Sequence, residues 1–157
     1  MKVLRVYVDM SVVGGLFDEH LPERIAQARL FWQSVADGTF QIIVSDVLDE
    51  ELVDAPQCVK DFFNDLPESQ IERTVLTKEA KELADRYIAE GVVGQSSLND
   101  CRHVALATLV EANVLVSWNF KHIVKLNKIY RYNGINKMLG YREIEIRTPE
   151  EVNHDEN

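Results

Sequence analysis

The sequence has few cysteines and no long hydrophobic run, and both absences restrict what the chain can be. Its only cysteines, Cys58 and Cys101, do not lie in a Cys-x-x-Cys or Cys/His spacing. A zinc site and a disulfide framework are therefore disfavoured, and we expect two small buried side chains. No apolar run is long enough to cross a bilayer. Arg5 and Asp9 interrupt the N-terminal apolar stretch, so we expect a cytoplasmic protein with no secretory signal and no contact with membranes.

Acidic residues outnumber basic ones by 26 to 17, which gives a net charge of −9 at pH 7. This disfavours a protein whose entire surface attracts nucleic acid. The charge is unevenly distributed, however, because no Asp or Glu lies between Glu111 and Glu143. The acidic residues elsewhere can form a cation-binding site, while the C-terminal third can present a positive face. Its basic side chains are Lys121, Lys125, Lys128, Arg131, Lys137 and Arg142.

Hydrophobic patterning predicts strands that alternate with helices in one domain over residues 1–152, followed by a disordered tail over residues 153–157. This alternation is typical of the α/β class. We expect a three-layer α/β/α sandwich with a central, mainly parallel sheet of about five strands. The Asn133-Gly134 pair is a turn signal and predicts a break between two helical pieces. Residues 143–146 alternate charge with isoleucine, as an edge strand does.

Oxygen-bearing side chains recur where the predicted strands end. Asp9 ends the first strand, and Ser45 ends the second and starts the helix that carries Glu51. Asp100 opens the helix before the fourth strand, and Asn119 follows that strand. The carboxyl ends of parallel strands meet at one edge, where ligands bind, so we expect these groups in one cleft.

Carboxylates gathered in one cleft repel each other and lose hydration, so a cation must offset their charge. Mg²⁺ or Mn²⁺ suits oxygen ligands. Such an ion polarises a phosphoryl oxygen and lowers the pKa of a bound water. The pattern therefore predicts a phosphodiester bond as the substrate.

Four segments carry these residues in order, namely "YVDMSVV", "SDVLDEEL", "NDCRHVALATL" and "LVSWNFKHI". Together they resemble the motifs of the PIN-domain family of metal-dependent ribonucleases, and within it the bacterial toxin-like branch related to VapC proteins. The resemblance covers nearly the whole chain. It implies a PIN-like fold and an endoribonuclease that is the toxin of a toxin–antitoxin pair. It further implies an RNA substrate, a protein antitoxin and a homodimer.

The resemblance also implies roles for individual residues. Asp9 and Asp100 would be the principal ligands of Mg²⁺ or Mn²⁺. Glu51, which the Ser-x5-Glu-Leu motif selects over Glu50, would bind the same ion or orient the attacking water. Asn119 stands where many members carry a fourth Asp, so we expect one metal rather than two. Ser11 and Ser117 would hydrogen-bond the carboxylates or a phosphate oxygen, and Lys121 and His122 complete the predicted substrate-contacting set.

Several of these residues also have structural interpretations. Asp9 could only cap a turn, Glu51 could lie on a solvated helix face, and Asp100 could favour the helix dipole. His103, one turn after Asp100, is expected to be structural rather than to contact the site. The aromatic residues of the basic stretch could stack on unpaired bases, contact an acidic partner segment or belong to the core. They are Trp118, Phe120, Tyr130, Tyr132 and Tyr141.

Rival functions differ in the residues that they require. A phosphatase of the haloacid-dehalogenase type needs a second Asp two residues after the first, and Ser11 stands there instead. The remaining alternative is a catalytically weak PIN-like module that binds RNA or a protein. Asn119 and the net charge of −9 favour this alternative.

Overall fold

A computed structural model describes residues 2–155 of the chain, with residues 154 and 155 as backbone only. In this part of the chain, five strands form one sheet in the order β3-β2-β1-β4-β5, and all of their pairings are parallel. The predicted α/β sandwich with a parallel sheet is therefore confirmed. The strands are β1 (Leu4–Val8), β2 (Phe40–Ser45), β3 (Ile71–Thr74), β4 (Val114–Val116) and β5 (Ile146–Arg147).

Helices cover both faces of the sheet. They are α1 (Ser11–Gly14), α2 (Pro22–Ala36), α3 (Asp46–Leu52), α4 (Gln57–Asp65), α5 (Lys78–Ala89), α6 (Leu98–Leu109), α7 (Leu126–Met138) and α8 (Pro149–Asp155). Short 3₁₀ segments lie at Gly15–Phe17, Glu68–Gln70 and Gln95–Ser97. Among the described residues, no helix combines the length and the apolar character needed to cross a membrane.

The two-residue period of β1 divides the core into two layers. Tyr7 packs in the layer formed with helices α5, α6 and α7. Val6 and Val8 pack in the opposite layer, with residues of α1, α2, α4 and α8. All three side chains are fully buried. Because β1 is the central strand, the residue that follows it lies at the middle of the sheet edge.

The turn predicted at Asn133-Gly134 is wrong, because α7 runs without a break through both residues. The Asn133 side chain explains the difference. Its amide nitrogen donates to the Ile144 carbonyl at 2.9 Å, and its oxygen accepts from the Ile144 N–H at 2.8 Å. These tertiary hydrogen bonds, together with the buried Tyr132 and Ile135, outweigh the local turn signal. They also hold Ile144 outside the sheet, so β5 is shorter and later than the strand predicted over residues 143–146.

The expected disordered tail is also wrong where the chain is described, because α8 continues to Asp155. Thr148 and Glu151 form a reciprocal capping box, in which each side chain accepts from the other residue's backbone N–H at 3.1 Å. Asn153 is buried, and its amide donates to the carbonyl of Gln27 at 2.8 Å. The hydrogen bond from Asn153 to Gln27 attaches the helix to α2. Residues 156 and 157 of the predicted tail lie outside the described residues.

The two cysteines differ in their surroundings. Cys101 is buried, as predicted, and burial raises the pKa of its thiol to about 12. Cys58 is exposed, so its predicted burial is wrong. It lies on the solvent side of α4, which buries Val59 instead.

Candidate active site

Asp9 follows β1 and is held by hydrogen bonds on both of its carboxylate oxygens. Oδ1 accepts from the backbone N–H of Ser11 at 3.0 Å and from the Ser11 hydroxyl. Oδ2 accepts from the Ser117 hydroxyl at 2.6 Å. The side chain is only 5% exposed. Asp9 therefore caps a local turn, as the structural interpretation predicted. In addition, two hydroxyls from separate parts of the chain fix the direction of its carboxylate.

These two serines join the ends of the neighbouring strands β1 and β4. The Ser11 hydroxyl accepts from the backbone N–H of Trp118 at 2.9 Å. The Ser117 hydroxyl accepts from the N–H of Asn119 at 2.9 Å. Trp118 and Asn119, the second and third residues after β4, are thereby linked to the Asp9 carboxylate. Ser11 and Ser117 thus take the predicted role of hydrogen-bonding a carboxylate.

Asp100 reaches the same edge from α6. Because α6 leads into the parallel strand β4, its first turn lies at the carboxyl end of the sheet, and Asp100 is in that turn. Burial raises the pKa of its carboxyl above 3.8, and the nearby Asp9 and Glu51 raise the pKa further. His122 and His103 act to lower the pKa, but their effect is smaller. Asp100 is therefore within electrostatic range of both other predicted carboxylates.

The pKa of Asp9 is raised for the same main reason. Burial outweighs the opposing effects of the His103 charge and of the hydrogen bonds from Ser11 and Ser117, and Glu51 adds to the rise. Two carboxyls at this edge thus resist ionisation. A divalent cation would relieve this cost by favouring their ionised forms.

Glu51 faces a histidine that we expected to be structural. Glu51 Oε1 lies 2.6 Å from His103 Nε2, and His103 is 1% exposed. On the other side of the ring, Nδ1 lies 2.8 Å from the Tyr7 hydroxyl, which in turn lies 2.8 Å from Ser45 Oγ. Burial acts to lower the pKa of His103, but Glu51, Asp9 and Asp100 outweigh it and raise the pKa above 6.5.

A protonated imidazole fits this chain of hydrogen bonds. His103 then donates from both nitrogens, to Glu51 and to the Tyr7 oxygen, and the Tyr7 hydroxyl donates to Ser45. Ser45 precedes α3, but its side chain makes no capping hydrogen bond, since Tyr7 engages it instead. His103 is buried, as expected of a structural histidine, and its ring also contacts Glu51 directly.

The loop after β4 carries the remaining predicted residues. The Asn119 side-chain oxygen accepts from the N–H of His122 at 3.0 Å and so stabilises the turn that follows. The ring of His122 is close enough to Asp100 to affect its pKa. Lys121 is exposed. This places His122 beside the carboxylates and Lys121 on the surface of the same loop.

The donor set fits a hard cation in its chemistry, because Asp9, Asp100 and Asn119 offer oxygen atoms only. In the chain from residue 2 to residue 153, however, no three His, Cys, Asp or Glu side chains are arranged to hold a metal ion. Of the three predicted carboxylates, Glu51 is hydrogen-bonded to His103, with Oε1 2.6 Å from Nε2.

A groove of about 610 Å³ lies next to this edge. Its lining includes Arg24, Trp118 and Phe120, and the Arg24 guanidinium lies 5.2 Å from the centroid of each aromatic ring. Phe120 is 46% exposed, whereas Trp118 is buried. Of the aromatic residues in the basic stretch, Tyr130 is also exposed, but Tyr132 is fully buried in the core. The groove therefore presents one exposed aromatic ring, that of Phe120, beside the Arg24 guanidinium.

Sequence reasoning gave too little importance to two residues. Tyr7 was assigned only to a buried strand, and its hydroxyl is the polar group that anchors His103. The available signal was a tyrosine between the two apolar residues Val6 and Val8 of a strand expected to be buried, since a buried tyrosine hydroxyl needs a hydrogen-bond partner. For His103, the signal was its position one turn after Asp100, on the face of α6 that the small residues turn towards the sheet.

Comparison with known proteins supports the fold. No protein-family model and no functionally curated protein matches the sequence. A solved structure of VapBC2 from Rickettsia felis, bound to a DNA fragment from its promoter, is similar with a TM-score of 0.53 at 13% identity. The match covers 92% of this chain and 98% of that one. A toxin–antitoxin complex from Klebsiella pneumoniae has a TM-score of 0.53 at 18% identity, over 74% of this chain and 88% of that one. The chain therefore has the PIN-like α/β fold of VapC proteins.

Proposed function

We propose that the protein is a Mg²⁺- or Mn²⁺-dependent endoribonuclease that hydrolyses phosphodiester bonds. The observation that carries this proposal is the pair of carboxylates, Asp9 and Asp100, which two separate elements bring to one edge of the sheet. Both carboxyls have raised pKa values there. A group that is costly to ionise without a counterion is well suited to hold a cation.

In this proposal, Asp9 and Asp100 hold the ion, and Asn119, whose backbone the Ser117 hydroxyl links to Asp9, supplies a neutral oxygen. The bound ion would polarise a phosphoryl oxygen and lower the pKa of a water molecule. Ser11 and Ser117 keep the Asp9 oxygens in place through the hydrogen bonds described above. Lys121 and His122, on the adjacent loop, contact the phosphate backbone of the RNA.

The two similar structures described above are toxin–antitoxin complexes, and this supports a protein antitoxin as the partner of the chain. The proposed protein is thus a toxin that its partner keeps inactive in the cytoplasm. We further propose that it forms a homodimer, which light scattering during size-exclusion chromatography would detect as a mass of about twice 18.0 kDa.

The experiment is incubation of purified protein with single-stranded RNA in Mg²⁺, Mn²⁺ or EDTA, followed by gel analysis of the products. We expect internal cleavage that needs the metal and that Asp100→Asn abolishes. Asp65→Asn is the matched control, because this substitution changes the charge equally. Asp65 is an exposed residue at the end of α4. Cleavage that persists in EDTA, or that both variants lose equally, would refute the proposal.

A second candidate function is a catalytically weak module that binds RNA or a protein. Two observations favour it, namely Asn119 in place of a fourth carboxylate and the absence of a three-carboxylate cluster among the described residues. The same experiment separates the two functions. Intact RNA at every metal concentration, together with a mobility shift of that RNA on a native gel, supports the module.

A further inference from the structure

Glu51 is held by a hydrogen bond to His103, with Oε1 2.6 Å from Nε2. His103 is buried and is held on its second nitrogen by Tyr7, which is itself fully buried. The ring contacts the Tyr7 ring edge-on, with the centroids 5.6 Å apart. The imidazole therefore cannot turn without breaking two hydrogen bonds in the core. Glu51, by contrast, is partly exposed and takes its direction from the ring.

We propose that His103 is a positioning residue that keeps Glu51 out of the ligand set of the cation. Asp9 and Asp100 are then the carboxylates that bind the ion. This inference rests on the proposed function, since it concerns the cation of that site. It agrees with the absence, among the described residues, of a group of three acidic, histidine or cysteine side chains that could hold a metal ion.

The competing arrangement is one in which the cation draws Glu51 away from His103. That movement would leave the buried His103 Nε2 without its hydrogen-bond partner. A buried polar group that loses its partner carries the full cost of its desolvation. We therefore expect the hydrogen bond between Glu51 and His103 to persist when the cation binds.

The test is the affinity of metal-stripped protein for Mn²⁺, measured by electron paramagnetic resonance of the free ion. His103→Asn removes the imidazole that holds the Glu51 carboxylate and leaves that carboxylate free to turn towards the ion, so we expect binding at least about tenfold tighter. The double variant Glu51→Gln/His103→Asn removes the freed carboxylate as well. We expect its affinity to lie within about threefold of the unsubstituted protein, as for sites that do not interact. Glu50→Gln, on the exposed neighbour, is the matched control.

The outcomes distinguish this inference from the proposed function. A double variant that binds as weakly as Asp9→Asn identifies Glu51 as a ligand and overturns the inference alone. A His103→Asn protein that binds no tighter than the unsubstituted one also overturns it. If the unsubstituted protein binds no Mn²⁺ and Asp9→Asn does not differ from it, the proposed cation site fails, and the inference fails with it.

A second measurement needs no substitution and therefore does not depend on the folding of His103→Asn. A crystal structure of the unsubstituted protein with Mn²⁺, located by its anomalous signal, shows the ligands directly. We expect the ion at Asp9 and Asp100 and the hydrogen bond between Glu51 and His103 intact. A Glu51 oxygen at bonding distance from the ion, with that hydrogen bond broken, would overturn the proposal.

Discussion

Replacing Tyr7 with phenylalanine removes one hydroxyl from the hydrogen-bond chain that ends at Glu51. The ring and its packing remain, but the hydrogen bonds to Ser45 Oγ and His103 Nδ1, both 2.8 Å long, are lost. Each bond contributes about 1 kcal/mol net, and a buried polar atom left without a partner costs about 1–3 kcal/mol. Tyr7 is fully buried, so we expect a loss of about 2–4 kcal/mol in the free energy of unfolding.

Urea denaturation followed by circular dichroism measures this loss at constant m-value. The same change lowers the melting temperature by about 4–16 °C for a domain of this size. Tyr130→Phe is the matched control, since Tyr130 is 71% exposed and its substitution should change stability by less than about 0.5 kcal/mol. A Tyr7→Phe protein as stable as this control would refute the hydrogen-bond chain.

Three further predictions concern the glycines, the pH dependence and the last helix. A Cβ at Gly15 would lie 2.7 Å from Trp118 Nε1, whereas one at the exposed Gly134 of α7 meets nothing within 4 Å. Thermal melts should therefore show that Gly15→Ala destabilises the protein by about 1–3 kcal/mol and that Gly134→Ala stabilises it by up to about 1 kcal/mol. A Gly15→Ala protein more stable than Gly134→Ala would contradict the close contact between Gly15 and Trp118. Asp9, Asp100 and His103 have raised pKa values in the folded protein, so in EDTA the free energy of unfolding should fall as the pH rises. The fall should begin above pH 3.8 for the two carboxyls and above pH 6.5 for the imidazole. Asp100→Asn should remain more stable than the unsubstituted protein at pH 7.5 and lose this advantage in acid, and a difference independent of pH in urea titrations would exclude the carboxyl as its source. Thr148→Ala should cost about 1 kcal/mol by removing the capping box, and an unchanged melting temperature would show that the box does not stabilise α8.

Much of the fold could be predicted from local sequence signals. The apolar run before Asp9 and the helical spacing after Pro22 have physical causes that operate within a few residues, and both elements are present. Thr77 likewise caps α5, where its hydroxyl accepts from the N–H of Ala80 at 3.1 Å. The parallel direction of the strands could be predicted from the alternation of strands and helices, because two parallel strands need a long crossover connection, which is usually a helix.

The features that could not be predicted depend on contacts between distant residues. Asn133 signals a turn by itself, and only its hydrogen bonds to Ile144 keep it within a helix. The motif spacing brought Glu51 to the correct edge of the sheet but could not show its direction. That direction depends on a histidine 52 residues away, which a tyrosine on the central strand holds in place.

The most direct test of the central claim is a comparison of RNA cleavage rates for Asp9→Asn, Asp100→Asn and the variant that carries both substitutions. The claim is that one cation acts through both carboxylates, so either substitution removes the same ion. Loss of an outer-shell partner of a metal costs up to about 100-fold in activity, so we predict that the cleavage rate of each single variant falls by at least that factor. We predict that the double variant is no slower than either single variant. Losses that multiply in the double variant, or single variants that cleave at the original rate, would contradict the account.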